Sequence, residues 1–162
     1  EMFRLVGDIG VEGSMISPGY EFKDAPDQDM FLTRGESHSL FRKLLEPAKT
    51  GGMKFYNNPL YLNFLRGDRD YECTAWSNPT YTTLGWRKPC YPLADEHVQD
   101  VNELYEEKLW EKYGVGKDPR CANCMMHCGF ESATIFQAVS TPKDWATLIK
   151  SGAVGKSGIT AA

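Results

Sequence analysis

Residues 118–131 read DPRCANCMMHCGFE and place Cys121, Cys124 and Cys128 within eight positions. Packing does not account for such a cluster, because three neighbouring thiols bury almost no apolar area. Cys-x2-Cys is the shortest loop that lets two thiolates grip one metal centre with backbone amides turned toward the sulfurs. It suits zinc and iron–sulfur clusters alike. Cys73 and Cys90 lie upstream with Gly85 between them, so the full pattern is Cys-x11-Gly-x4-Cys followed by Cys-x2-Cys-x3-Cys. That is far more specific than one isolated pair. The odd count of five cysteines, and an opening EMFRLVGDIG with no basic region before an apolar core, argue for a reducing compartment rather than a disulfide framework.

The segment between Cys73 and Cys90 is rich in aromatics, threonine, glycine and proline. It predicts a bent hairpin over about 71–93, turning near Tyr81–Thr82, which would set Cys73 opposite Cys90. Gly85 would supply a special conformation or a close backbone approach. Val98, Val101, Leu104, Tyr105 and Leu109 predict an amphipathic helix over 98–112 that returns the chain, so that the cysteine knuckle closes over the hairpin. Helices are expected over 130–138 and after Pro142. Upstream, a helix through Met2, Leu5 and Val6 stops at GDIG, and GVEGSMISPGY reads as a strand entering a Ser-Pro-Gly turn, the grammar of an α/β unit. A polar excursion over 21–35 leads to a helix over 36–46 that ends near Pro47 and Gly51–Gly52. MKFYN reads as a short strand, and Asn58–Pro59 opens a helix over 59–66. The last residues, from 151, are expected to fray.

Composition sets the outer bounds. The chain has 162 residues, 41% hydrophobic and 25% charged, enough for one real core or two small ones. A net charge of −4 with scattered basic residues argues against nucleic acid as a partner. No apolar run approaches the roughly 20 residues that a transmembrane segment requires.

Three readings of the cysteines stand side by side: an iron–sulfur cluster, one structural zinc with His127 as a further candidate ligand, and unligated core thiols. Around a cluster, Tyr71, Trp76, Trp86 and Tyr91 would form walls that exclude water. His38 and His97 have charged, exposed neighbours and carry no assignment. In functional terms the choice lies between part of an enzyme and an independent metal module, either a zinc-stabilised interaction domain or a small electron carrier.

The cysteine pattern resembles the auxiliary-cluster (SPASM or twitch) domains that follow radical-SAM barrels. More specifically, SPGYEFKDAPDQDMFL, NPLYLNFLRGDRDYECTAWSNPT, GWRKPCYPL and YGVGKDPRCANCMMHCGFE resemble, in register over about residues 1–150, the hopanoid-biosynthesis radical-SAM family of adenosyl-hopene transferases. Ala75, Ser77 and the stretch between Asn-Pro-Thr and Gly-Trp depart from that pattern and leave the substrate open. A paralogue with another substrate is the variant reading.

The resemblance implies an α+β fold. Residues 1–22 would be the last helix–strand unit of a radical-SAM partial (β/α) barrel lying mostly upstream of Glu1. Residues 23–69 would be a helical connection, residues 70–150 a hairpin-plus-helices auxiliary iron–sulfur domain, and residues 151–162 a tail. The implied activity is that of a transferase: a 5′-deoxyadenosyl radical from S-adenosylmethionine adds to a hopene. The catalytic residues and the cluster that binds S-adenosylmethionine would lie in the upstream barrel, because that motif runs x3 then x2, whereas the knuckle here runs x2 then x3. Ser17, Gly19 and Tyr20 would lie near S-adenosylmethionine or the substrate, with a plain strand-ending turn as the equal alternative. An auxiliary 4Fe–4S cluster would draw its ligands from Cys73, Cys90, Cys121, Cys124 and Cys128, with loop spacing and the twitch pattern placing Cys121 ahead of Cys128. Implied partners are a hopene-type lipid and a reductant such as ferredoxin or flavodoxin. The implied place is the cytoplasm, with peripheral contact at the inner membrane.

Overall fold

In the computed structural model, which describes residues 1–21, 25, 27–46 and 53–151, Met2–Asp8 forms helix α1 and Arg34–Leu44 forms α2. Thr33 and Glu36 close a capping box at the start of α2, each side chain meeting the other's backbone N–H. Pro59–Leu65 forms α3; Asn58 caps it by accepting from the Tyr61 amide at 2.9 Å, and Pro59 sits where its missing N–H costs nothing. Tyr81–Thr82, Gly85–Lys88 and Glu96–Val98 form β1, β2 and β3, an antiparallel sheet in sequence order. Glu107–Trp110 is the short α4, His127–Ala138 is α5 and Pro142–Ser151 is α6.

The core sits around α3. Tyr61, Phe64 and Leu65 have no exposed surface, and α3 packs on α2, α5 and α6. Phe64 stacks on Phe130 of α5 at 4.5 Å between centroids and meets Tyr71 edge-on at 6.1 Å. Phe41 and Leu148 close the same cluster. The expected helical connection and the cysteine-bearing region therefore share one core. Asp144, at the start of α6 and almost wholly buried, pairs with Arg69 and locks α6 to the segment that leads to Cys73.

Two expected strands shrink to a single parallel bridge, Ser14 with Phe55: the Ser14 amide donates to the Lys54 carbonyl at 2.9 Å, and the Tyr56 amide to the Ser14 carbonyl at 3.0 Å. Residues 15–20 then run without regular structure, so no turn forms at Ser17–Pro18–Gly19. The larger correction lies at 98–112. Val98 is drawn into β3 opposite Trp86. Asp100 then caps a 3₁₀ turn at Val101–Tyr105, and Glu106 is extended, so α4 is all the α-helix that remains of that stretch. Local propensity lost to sheet pairing and to the Asp100 cap. Leu104 is still buried as expected, whereas Tyr105 is half exposed.

The hairpin turns between Thr82 and Gly85, slightly later than expected. Gly85 has φ +123, and a Cβ there would stand 2.6 Å from the Val98 carbonyl oxygen, so a side chain is excluded. Residues 47–52 and 152–162, on which the expected end of α2 and the frayed tail fall, lie outside the described residues. Among the described residues no helix is long and apolar enough to cross a membrane.

Candidate metal centre

All five cysteines line one cavity, although the chain delivers them in three separate ways. Cys73 precedes the 3₁₀ turn at Ala75–Ser77. Cys90 follows β2 across a cis Lys88–Pro89 bond. Cys121 ends the 3₁₀ turn at Pro119–Cys121, Cys124 lies in the loop after it, and Cys128 is the second residue of α5. Cys73 and Cys90 are not opposed across the sheet, because the pairing register runs Tyr81 to Trp86 and Cys73 lies outside the strands. Cys73 is instead held against α5, where the Thr74 amide donates to the Gly129 carbonyl at 2.9 Å.

Backbone amides serve the sulfurs. The amides of Ala75, Leu93, Gly114 and Met126 act on Cys73, Cys90, Cys121 and Cys124, and those of Cys128 and Gly129 act on Cys128, with the Gly129 amide donating to the Met126 carbonyl at 3.1 Å. These bonds favour the thiolate, but burial outweighs them and pushes every thiol upward, to about 12 for Cys124 and about 11 for Cys128. Neighbouring sulfurs add to the rise: Cys124, Cys128 and Cys73 act on Cys90, and Cys73 acts on Cys128. Without a bound cation these groups are neutral thiols at pH 7.

Gly129 explains how the sulfurs come so near α5. A Cβ at this position would stand 2.6 Å from Cys73 Sγ. Among the described residues, no three His, Cys, Asp or Glu side chains gather closely enough around one point to hold a single ion. The cysteines ring a space instead of meeting at its centre. That donor set, thiols with amides aimed at them inside an apolar wall, fits a multi-atom cluster.

The structure places Tyr20 in the cavity wall, its hydroxyl donating to the Arg120 carbonyl at 3.2 Å. Burial first, and then the sulfurs of Cys124, Cys121 and Cys90, hold the Tyr20 phenol well above the usual tyrosine value. Ser17 lies beside it without lining the cavity. Its Oγ is 3.3 Å from the Tyr61 hydroxyl and accepts from the His127 amide at 3.4 Å, while the Tyr61 hydroxyl donates to the Met125 carbonyl at 2.9 Å. Residues 17–20 are thereby pinned to the knuckle. Gly19 faces Phe31 and stands apart from the cysteines. His127 has Nδ1 3.3 Å from Ser17 Oγ, an anchoring contact for that segment.

The sequence profile of a family described as "Domain of unknown function (DUF3463)" matches residues 14–148. The chain belongs to the DUF3463 family. No curated protein and no solved structure matches it. The matched span of DUF3463 includes all five cysteines, Ser17 and Tyr20.

Several wall residues of this DUF3463 chain were not legible in the sequence. The aromatics facing the cysteines are Tyr20, Trp110, Tyr113 and Phe130. Of those expected there, Tyr71 lies in the core, Trp86 packs on Tyr81 at 5.0 Å, and Tyr91 is exposed beneath Arg87. Trp76 lines an adjoining groove. Gly129 had a signal, a glycine in the first turn of an otherwise ordinary helix directly after a cysteine. Trp110 and Tyr113 had none, because the loop that folds them back is fixed by tertiary contacts such as the Trp110 indole bond to the Leu104 carbonyl at 2.6 Å.

Proposed function

We propose that this chain is the auxiliary iron–sulfur domain of a radical-SAM enzyme and holds a 4Fe–4S cluster on four cysteines. The observation that carries the proposal is the convergence of five cysteines, spread from 73 to 128, on one apolar cavity. One structural zinc on four of these thiols is the alternative reading. The four ligands in the iron–sulfur reading are Cys73, Cys90, Cys121 and Cys124, with Cys128 as the alternative to Cys121; all five line the cavity, and the loop spacing of the knuckle favours Cys121.

When bound, such a cluster supplies a one-electron centre and a rigid crosslink between segments. The chain's own residues do the rest. Tyr20, Trp110, Tyr113 and Phe130 exclude water, and the amides hold the sulfurs in place. Ser17 and Tyr61 fix residues 17–20 beside the cavity, so a ligand bound along that segment would share a wall with the cysteines. The parallel bridge at Ser14 and the exposed Met2 and Leu5 of α1 support assigning the first residues to the last helix–strand unit of a barrel. In that assignment the whole enzyme adds a 5′-deoxyadenosyl group from S-adenosylmethionine to a hopene-type lipid, drawing electrons from a ferredoxin or flavodoxin at the cytoplasmic face of the inner membrane. The test is metal analysis of anaerobically purified chain. Brown protein with iron and sulfide in equal amounts is expected, and colourless protein carrying zinc would reject the reading.

A further inference from the structure

We infer that Arg34 is the resident counter-charge of the cysteine cavity, a positioning residue that ties its two sides together and raises the reduction potential of a cluster bound there. The inference rests on the iron–sulfur reading of the site. Arg34 is the first residue of α2, placed by the Thr33–Glu36 capping box. Its amide donates to Asn123 Oδ1 at 3.1 Å, between Cys121 and Cys124, and its guanidinium pairs with Asp70, three residues before Cys73. One residue thus spans the knuckle and the Cys73 segment.

The guanidinium lies 5.1 Å from the Phe64 ring centroid and 5.2 Å from that of Phe130, and Phe130 lines the cavity. Its Nη1 is buried and has no acceptor among the described residues. A buried charged donor left unpaired is costly. The Asp70 carboxylate is 76% exposed, so solvent screens much of what it offers. Arg120, the other arginine near the cysteines, is by contrast gripped by both Asp95 and Asp118. Arg34 therefore carries its positive charge against two rings of the apolar interior, while its carboxylate partner Asp70 faces solvent. A cluster on four thiolates is a buried anion, and its potential follows the net charge around it.

The test reconstitutes the chain anaerobically with iron and sulfide. Midpoint potentials are then read by EPR-monitored titration, with iron counted in each sample. Arg34→Gln is expected to shift the potential negative, the mostly exposed Asp70→Asn to shift it positive, and Arg34→Lys to stay near wild type. Equal potentials in wild type and Arg34→Gln would overturn the inference. If Arg34→Gln fails to fold, Arg34→Met decides: a negative shift supports the role and an unchanged potential overturns it. Wild-type chain that takes up no iron and sulfide rejects the cluster reading itself, and this inference falls with it.

Discussion

At Gly129 a hydrogen stands where any other residue would place a carbon 2.6 Å from Cys73 Sγ. In an ordinary helix, Gly→Ala gains about 0.5–1 kcal/mol. Here the methyl group displaces a sulfur, and a free thiol can swing aside more easily than a bound thiolate. Gly129→Ala is therefore expected to melt no lower than wild type without metal, yet to lose most of its iron after reconstitution. Full iron content in the variant would contradict the tight approach. A second prediction at this scale concerns pH. Cys124 and Cys128 stay protonated in the folded, metal-free chain up to about 12 and about 11, against 9.0 for an ordinary thiol. Above pH 9 the unfolded chain has lost protons that the folded chain keeps, so stability is fully present below pH 9 and declines as pH rises toward 11–12. Urea melts of metal-free protein between pH 7 and 11 check the sign; stability that rises over that range would refute it. The thiols themselves were legible from their spacing, because the chemistry of a Cys-x2-Cys knuckle is local. Arg34 was not, because its meaning lies in the rings and cysteines that the fold brings to it.

Among the elements, α3 was read nearly to the residue from Asn58, Pro59 and its apolar face, since cap, first-turn proline and pattern all agree. What the sequence hid was how much else Asn58 does. Its amide donates to Glu131 Oε1 at 2.8 Å and its Oδ1 accepts from Thr134 Oγ1 at 3.1 Å, which ties α3 to α5. Asn58→Ala removes a cap worth about 1 kcal/mol, while the Thr134 hydroxyl keeps its bond to the Glu131 carbonyl at 2.7 Å. A loss of about 1–2 kcal/mol is expected in urea denaturation, and a loss below about 0.5 kcal/mol would show the cap to be idle. Phe64→Ala should cost about 3–5 kcal/mol, because the ring is fully buried against Phe130. The stretch 98–112 shows the opposite case. Its apolar spacing suits a helix, but Val98 answers to Trp86 across the sheet and Trp110 folds back on Leu104. Pairings between such distant positions leave no periodic trace.

For the molecule as a whole, the α+β class was visible in advance from its helical and hairpin segments. The fusion of the cysteine-bearing and helical segments into one core through Phe64, Phe130 and Leu148 was not, because it depends on which faces meet. The account also sorts the chain by protection. No residue of α1 is buried, whereas α3 and α5 supply most of the core. Amide exchange should therefore be fast through the first dozen residues and slowest in α3 and α5; uniform protection would contradict the barrel assignment of the first segment. The most direct test of the central claim is a count of iron and sulfide in anaerobically reconstituted wild type and in five single Cys→Ala variants. About four iron and four sulfide per wild-type chain are expected, with loss of the cluster at positions 73, 90, 121 and 124 and retention at 128. Wild-type chain that binds zinc but no sulfide, or that keeps its iron when Cys73 or Cys90 is removed, would contradict it.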